Sequence, residues 1–312
     1  MSQARLDRAV RALLARFRRQ KPLRSGSLLV TILGDAIAPR GGAVTLGSLI
    51  KLARPFGLPE RLVRTSVGRL AKDGWLTSRR AGRQSEYALT KHGRQRFAEA
   101  TQRIYSEPPR HWDRHWTMLL LPADSANHRE KIREELRWLG FGQLTAAVLA
   151  HPSRSVADTQ DLLGEMGMKG RAIVLQAASA GLAQDRELIL MGWDLAELAR
   201  GYRRFIASFS GIYAALSDHM QAESSQAFVI RTLLIHEYRK IHLRDPLLPH
   251  DLLPPDWIGA DAYDLCRQLY RRVFEKAESY LSANAARLHE PLVALTRESS
   301  ERFGTQPIIR KR

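Results

Sequence analysis

The chain opens with apolar residues spaced three or four positions apart, the period of a helix that buries one face. Over residues 4–20 the apolar positions fall within about 100° of arc at 3.6 residues per turn, and arginines surround the rest of the helix. Residues 25–37 predict an apolar helix that ends before Pro39, and Thr45 is the candidate N-cap of a helix over residues 45–55. Two apolar helices therefore follow a basic one.

The next helix, from Pro59 to the stop at Gly74, has two contrasting faces. One face carries Leu62, Val63, Ser66, Val67 and Leu70, and the other carries Arg61, Arg64, Thr65, Gly68, Arg69 and Lys72. A helix–turn–helix module needs this division, since one stripe packs on the domain while the other enters the major groove. Arginine can donate two hydrogen bonds to guanine O6 and N7, and Thr65 could reach a phosphate or a thymine methyl group.

Residues 75–89 alternate in polarity around a turn at Ala81-Gly82, which predicts a two-stranded hairpin. Three arginines crowd its tip: Arg79, Arg80 and Arg83. A hairpin directly after a recognition helix is a wing, and a cationic wing would meet the sugar–phosphate backbone or the minor groove. The alternative is a basic face that is merely solvated.

After a helix over residues 90–105, the break at Pro108-Pro109 marks a domain boundary. Three predicted strands then alternate with two predicted helices, which indicates a ferredoxin-like α/β sandwich; the strands cover residues 116–121, 143–150 and 171–178, and the helices cover 125–140 and 155–167. Long helices are predicted at 194–216, 223–245 and 260–283, with a proline-rich stretch at 246–259. The expected fold class is a multidomain α+β protein with three parts: a winged helix-turn-helix domain at 1–107, a ferredoxin-like domain at 108–190 and a helical domain at 191–312.

The net charge of +17 is confined to one part of the 312-residue chain. Residues 1–105 hold 22 basic and 6 acidic side chains, whereas the remainder is nearly balanced. A basic surface on one module favours a polyanion partner, because phosphate contacts release counterions. The single cysteine, Cys266, fits a reducing cytoplasm, and the apolar runs are shorter than the ~20 residues of a membrane span. We therefore expect a cytoplasmic protein with no membrane partner.

Motifs of enzyme chemistry are not found in the sequence. His236 and His242 are six residues apart instead of the four of a zinc protease helix, and Asp124 is a lone carboxylate. We therefore expect no catalytic residues, no metal and no cofactor. The alternative is a metal-dependent nucleic-acid-processing enzyme with a ferredoxin-like core, in which the basic module would clamp the substrate.

Four stretches resemble the PaaX family of bacterial repressors of phenylacetate catabolism. They are 34-GDAIAPRGGAVTLGSLI-50, 64-RTSVGRLAKDGWL-76, 115-HWTMLLL-121 and 237-EYRKIHLRDPLLPHDLLPPDW-257, and the resemblance covers residues 24–283. It implies a winged helix-turn-helix domain, a ferredoxin-like middle domain and a helical C-terminal domain in a homodimer on double-stranded operator DNA. It also implies that phenylacetyl-CoA is the effector that releases the DNA.

Phenylacetyl-CoA carries an apolar ring and several phosphate charges, so its site should combine apolar walls with cations. One candidate cluster lies just before the proline-rich stretch, with Trp257 inside the stretch, and a second lies beside Tyr202; the residues are Tyr238, Arg239, Lys240, His242, Arg244 and Trp257 in the first and Arg203 and Arg204 in the second. The alternative is that four charged residues form ion pairs that fix the helix to the turn: Glu237, Arg239, Arg244 and Asp245.

Overall fold

The structure is a computed structural model that describes residues 2–20, 25–107, 112–121, 126–168, 170–216, 221–295 and 302–304. Helices and sheets are mixed in it. The chain forms two compact units. The first comprises Met1–Ser106, Arg203–Lys240 and Ala260–Arg312, and the second comprises Glu107–Tyr202 and Ile241–Gly259.

The N-terminal part of the first unit begins with helices α1 (Ser2–Arg18) and α2 (Ser25–Ile32). The chain continues α2 as a π turn and a 3-10 turn up to Arg40, since Pro39 cannot extend an α-helix. Strand β1 (Ala43–Thr45) leads into α3 (Leu46–Ala53), and α4 (Glu60–Lys72) follows. The predicted cap is confirmed, because the Thr45 side chain accepts a hydrogen bond from the Ser48 backbone N–H.

A three-stranded antiparallel sheet follows α4. Strands β2 (Leu76–Ala81) and β3 (Gln84–Leu89) form the predicted hairpin, and β1 pairs with the other edge of β3. Gly82 has a φ of 57° at the first of two turn residues, where a type II′ turn uses glycine. Helix α5 (Lys91–Tyr105) completes this part. The sequence did not predict β1, because three residues are too few to show an alternating pattern.

The middle of the chain builds a four-stranded antiparallel sheet in the second unit. Its strands are β4 (Trp116–Leu120), β5 (Gly142–Gln143), β6 (Val148–His151) and β7 (Ile173–Ala177), in the spatial order β5-β6-β4-β7. Three helices lie between or after them: α6 (Ala126–Trp138), α7 (Val156–Glu165) and α8 (Leu182–Gly192). Along β4, Leu119 belongs to one hydrophobic cluster while Trp116 and Met118 belong to another, as the alternation of a strand requires.

One prediction for this region is wrong, and one helix was not predicted. The single strand expected over residues 143–150 is a hairpin of β5 and β6, because the Thr145 hydroxyl accepts hydrogen bonds from the N–H groups of Ala147 and Val148 and holds a turn there. The sequence pattern did not predict helix α8, which follows β7. The Pro108-Pro109 break, Asp124 and the first residue of the predicted helix at 125 lie outside the described residues.

Three long helices follow: α9 (Leu195–Ala215), α10 (Ser224–His242) and α11 (Ile258–Asn284). A short hairpin of β8 (Ala286–Arg287) and β9 (Glu290–Pro291) comes after α11. Most of α10 and α11 belongs to the first unit, whereas the proline-rich stretch belongs to the second. There Leu248 and Leu252 join the cluster around Trp116.

A buried ionic cluster joins the N-terminal helices of the first unit to α10 and α11. Asp35, in the turn after α2, accepts hydrogen bonds from Arg231 Nε at 2.7 Å, Tyr105 Oη at 2.6 Å and Tyr270 Oη at 3.0 Å. Arg302 Nη1 lies 3.2 Å from the same carboxylate. Burial acts to raise the pKa of Asp35, but the guanidinium groups of Arg231 and Arg302 outweigh it and the pKa is lowered. Asp35 is therefore a buried anion that four polar side chains stabilise.

Candidate nucleic-acid interface

Helix α4 has the two faces that its sequence predicts. Val63 and Val67 are fully buried, and Leu62, Ser66 and Leu70 are partly buried. The opposite face is exposed throughout; it carries Arg61, Arg64, Thr65, Gly68, Arg69 and Lys72. A Cβ added at Gly68 would meet nothing within 4 Å. Packing inside the protein therefore does not require a glycine here, and the surface at this position is open.

Some polar groups on this face already have local partners. Arg64 Nε and Nη2 donate to Glu60 Oε1 at 2.8 and 2.6 Å, and both side chains are about half exposed. The Thr65 hydroxyl donates to the Arg61 carbonyl at 2.9 Å. An exposed i,i+4 pair contributes only about 0.3–0.5 kcal/mol. Phosphate or a base edge can therefore compete with Glu60 for Arg64.

The three arginines of the β2–β3 hairpin differ in their surroundings. Arg83 is exposed in the turn, and Arg80 Nε donates to the Gly82 carbonyl at 3.2 Å. Arg79 Nη2 lies 3.2 Å from Glu86 Oε2, and Glu86 is buried. Arg79 therefore neutralises an internal carboxylate, whereas Arg80 and Arg83 lie at the tip.

An open cleft of about 670 Å³ lies beside α4 and the hairpin. Its walls come from the start of α3, from Arg64 of α4, from the β2–β3 turn and from the β8–β9 hairpin. It includes Lys51, Arg287 and His289, which are not among the residues predicted from the sequence to bind DNA. No local signal pointed to them, because Arg287 is more than 200 residues from the predicted DNA-binding side chains.

The predicted effector residues of the first unit are mostly engaged in packing. Tyr238 is fully buried and its ring lies 5.4 Å from that of Phe205. Arg239 Nη2 donates to both oxygens of Ser27 at 2.7 Å, and its Nε donates to Thr31 Oγ1 at 2.8 Å. Burial lowers the pKa of Arg239 to about 10. Arg239 thus attaches α10 to α2, instead of forming the ion pair with the turn that the sequence allowed.

Other predicted effector residues are either exposed or paired nearby. Lys240 Nζ lies 2.8 Å from Glu237 Oε1, while Arg203 and Arg204 are exposed on α9. Within the second unit, His242 Nδ1 lies 3.0 Å from Tyr202 Oη, and that hydroxyl donates to Asp245 at 2.7 Å. The Trp257 ring packs edge-on against Tyr202 at 6.1 Å, and Arg244 is exposed. Predicted effector residues that lie close together in the sequence therefore have different environments in the structure.

Neither a metal site nor a membrane-spanning helix is found in the part of the chain that the structure describes. Across the residues that the structure describes, His, Cys, Asp and Glu form no group of three or more that could hold a metal ion. His236 Nδ1 lies 3.1 Å from Thr31 Oγ1 in the first unit, and His242 contacts Tyr202 in the second. In that same part of the chain, every helix is too short or too polar to cross a bilayer. Cys266 is buried, and burial raises its pKa.

Fold and site together define a protein that mixes helices and sheets and presents a basic helix, a basic hairpin and a cationic cleft on one unit. Three domain families match it in order: PaaX-like protein at residues 24–93, PaaX protein central Cas2-like domain at 109–189, and PaaX-like protein C-terminal domain at 193–283. The chain belongs to the PaaX family.

Individual proteins that resemble the chain include a repressor and a protein of solved structure. Transcriptional repressor PaaX of Escherichia coli (strain K12) is 37% identical over 265 residues, which are 84% of each chain. Among solved structures, the uncharacterized protein Rv0674 from Mycobacterium tuberculosis is 23% identical, with a TM-score of 0.47 over 73% of this chain and 89% of that one.

Proposed function

We propose that this protein is a sequence-specific DNA-binding repressor of transcription, and that α4 is its recognition helix. The observation that carries the proposal is the division of α4 into a buried face and a fully exposed cationic face, next to a hairpin with arginines at its tip. This segment lies within residues 24–93, which match the PaaX-like family, and a relative of 37% identity is named a transcriptional repressor.

In this proposal, α2, α3 and α4 with the β2–β3 hairpin act as a winged helix-turn-helix. Exposed α4 side chains would enter the major groove, while Arg80 and Arg83 would contact the backbone or the minor groove. The order β5-β6-β4-β7, with all neighbours antiparallel, supports a ferredoxin-like arrangement for the second unit. Bacterial DNA is cytoplasmic, so a repressor would work in the cytoplasm.

Repression would be steric, because a protein bound across a promoter blocks it without chemistry. We propose that a homodimer binds two half-sites one helical turn, or a multiple of it, apart. Strand β7 supports a contact between two copies, since it is an edge strand that exposes Ile173 and Leu175 at 60% and 43%. An exposed apolar edge favours pairing with another strand, and a second copy of β7 is self-complementary for an antiparallel pair.

We further propose that the regulated genes serve phenylacetate catabolism and that phenylacetyl-CoA releases the DNA. The family membership and the relative's name support this assignment. Arg203 and Arg204 are exposed cations of the first unit that would bind the phosphates of such a ligand, and Arg244 is exposed in the second unit. Tyr238, Arg239 and His242 could contact it only after their present packing opened. A ligand releases DNA only to the extent that it binds the conformation with low affinity for DNA more tightly than the conformation with high affinity.

The DNA proposal is tested by selection of duplexes from a random pool, followed by footprinting with and without divalent metal. Retention of one sequence class, with intact DNA, is the expected result. Metal-dependent cleavage would instead support the nucleic-acid-processing enzyme, and uniform binding to all duplexes would contradict specific repression.

The effector proposal is tested by titrating phenylacetyl-CoA into the complex with the selected duplex. Release by the thioester, but not by phenylacetate or free CoA, is expected. In the double variant Arg203→Gln/Arg204→Gln, a wild-type affinity for DNA with a weaker response to the thioester would place the phosphates at α9. A wild-type response would place them elsewhere.

A further inference from the structure

The β8–β9 hairpin lies after α11 and outside all three matched domains, the last of which ends at residue 283. Its two short strands pair Ala286 with Pro291 and Arg287 with Glu290. His289, in the turn, has a φ of 64°, which non-glycine residues adopt uncommonly. None of the matched domains accounts for this hairpin.

Two sets of hydrogen bonds attach the hairpin to the proposed DNA-binding part of the same unit. Ser48 Oγ accepts from the Ala286 N–H at 3.0 Å and lies 3.3 Å from the Ala286 carbonyl. The Leu288 N–H donates to Glu86 Oε1 at 2.8 Å, and the Leu288 side chain is buried. Because Ser48 is in α3 and Glu86 is in β3, the hairpin is held between the helix-turn-helix elements and the wing.

This attachment makes the hairpin one wall of the cleft of about 670 Å³. The cleft gathers cations from four separate segments: Lys51 of α3, Arg64 of α4, Arg83 of the wing turn and Arg287 of β8. His289 adds an exposed imidazole, and Glu290 is the carboxylate among the lining residues. These four cations outnumber the three carboxylates within ion-pair distance of them, Glu60, Glu86 and Glu290, and the remaining positive charge attracts an anion.

The lining indicates which anion fits. The volume is within the ~300–1,000 Å³ of small-molecule pockets, but such pockets are predominantly apolar and aromatic. The residues that line this cleft include no phenylalanine, tyrosine or tryptophan, so an aryl ring would have no aromatic wall. An open cationic cleft that includes Arg64 of the recognition helix instead suits the sugar–phosphate backbone of a duplex lying on α4.

We propose that the β8–β9 hairpin is an additional DNA-backbone contact, in which Arg287 and His289 bind a phosphate next to the base pairs that α4 reads. This inference rests on the proposed DNA binding. It assigns a role in DNA binding to a segment close to the C-terminal end of the described chain, about 220 residues after the recognition helix.

The test uses full-length protein and a 40-base-pair duplex that the wild-type protein selects from a random pool, with affinity measured by fluorescence anisotropy from about 50 to 200 mM salt. Arg287→Gln should weaken binding about tenfold, the loss of one charge-assisted hydrogen bond. It should also reduce the salt slope by about 0.9, the contribution of one phosphate contact. Lys276→Gln is the control, because Lys276 is exposed on α11 and does not line the cleft; it should leave both quantities unchanged.

A second variant separates DNA contact from a structural role of the hairpin. Glu290 Oε2 lies 3.0 Å from Arg287 Nη1, so Glu290→Gln removes a negative charge from the cleft and leaves the guanidinium with Glu86, whose Oε1 lies 3.8 Å from Arg287 Nε. If the hairpin contacts phosphate, Glu290→Gln should tighten binding about two- to fivefold, opposite to Arg287→Gln. If the hairpin only supports the fold, both variants should weaken binding and lower the Tm, and the proposal is overturned.

The remaining outcomes separate this inference from the function on which it rests. Selective binding by the wild type, with both hairpin variants behaving like Lys276→Gln, overturns the hairpin contact and leaves the repressor proposal intact. Failure of the wild type to select any duplex overturns both. Binding of CoA alone that Arg287→Gln abolishes would assign the cleft to a small-molecule ligand and also overturns the inference.

Discussion

Arg64 and Arg69 share the exposed face of α4 but differ in their neighbours, because Arg64 is paired with Glu60 while Arg69 lies in the last turn. We expect Arg64→Ala and Arg69→Ala each to cost ~1–3 kcal/mol of binding to the selected duplex and to relax specificity at one base pair. Anisotropy with point-substituted duplexes measures both effects.

Glu60→Gln is the matched control for Arg64. Glu60→Gln removes a carboxylate from α4 and releases the Arg64 guanidinium, so binding should tighten while the fold is retained. If both arginine variants gave wild-type footprints, α4 would not be the recognition helix.

Asp35 is a buried anion whose ion pairs should stabilise the first unit. Asp35→Asn removes the carboxylate that Arg231 and Arg302 share, although Arg231 also pairs with Glu278, and breaking a buried pair typically costs about 3–5 kcal/mol. Urea denaturation should show that loss. Asp264→Asn, at an exposed pair with Arg267, should cost less than about 1 kcal/mol.

The lowered pKa of Asp35 also predicts a dependence on pH. The folded carboxyl has a lower pKa than the unfolded one, which titrates near 3.9. Its contribution to the free energy of unfolding is therefore complete above about pH 5 and is lost as pH falls through the folded pKa. The difference between wild type and Asp35→Asn should shrink from pH 7 toward pH 3, and a constant difference would contradict this account.

The β2–β3 hairpin should act on DNA as a unit through Arg80 and Arg83 at its tip. Arg80→Gln/Arg83→Gln should weaken specific and random duplexes alike and reduce the salt slope by about 1.8. Arg79 is left in place because it also neutralises the buried Glu86. An unchanged slope in the double variant would mean that the hairpin points away from DNA.

Assembly of the whole molecule should depend on the outer edge of β7. Ile173→Lys and Leu175→Lys put a charge on the edge strand, so we expect the mass measured by light scattering to fall from dimer to monomer. Affinity for a duplex with two half-sites should fall, while affinity for one half-site should not. Leu190→Lys, on the exposed surface of α8, is the control; dimers in all three variants would place the contact elsewhere.

The sequence by itself determined the elements whose cause is local. The two faces of α4 follow from a period of 3.6 residues, and the start of α3 follows from a Thr45 side chain that bonds a backbone N–H three residues on. Local patterns failed where a turn of a few residues interrupts an apolar run. The turn at Thr145, for example, divides the strand expected over residues 143–150. The basic helix and hairpin were therefore predictable, while the boundaries of short strands were not.

Tertiary structure decided which distant side chains meet. Arg239 bonds to Ser27, Arg231 to Asp35 and Ala286 to Ser48, and each pair is about 200 or more residues apart. These contacts attach α10 to α2 through Arg239, which is also a predicted effector residue, and they place Arg287 in the cleft beside Arg64. Periodicity and capping act over a few residues, whereas such pairings depend on how helices and strands pack, and a single sequence does not contain that packing as a local pattern.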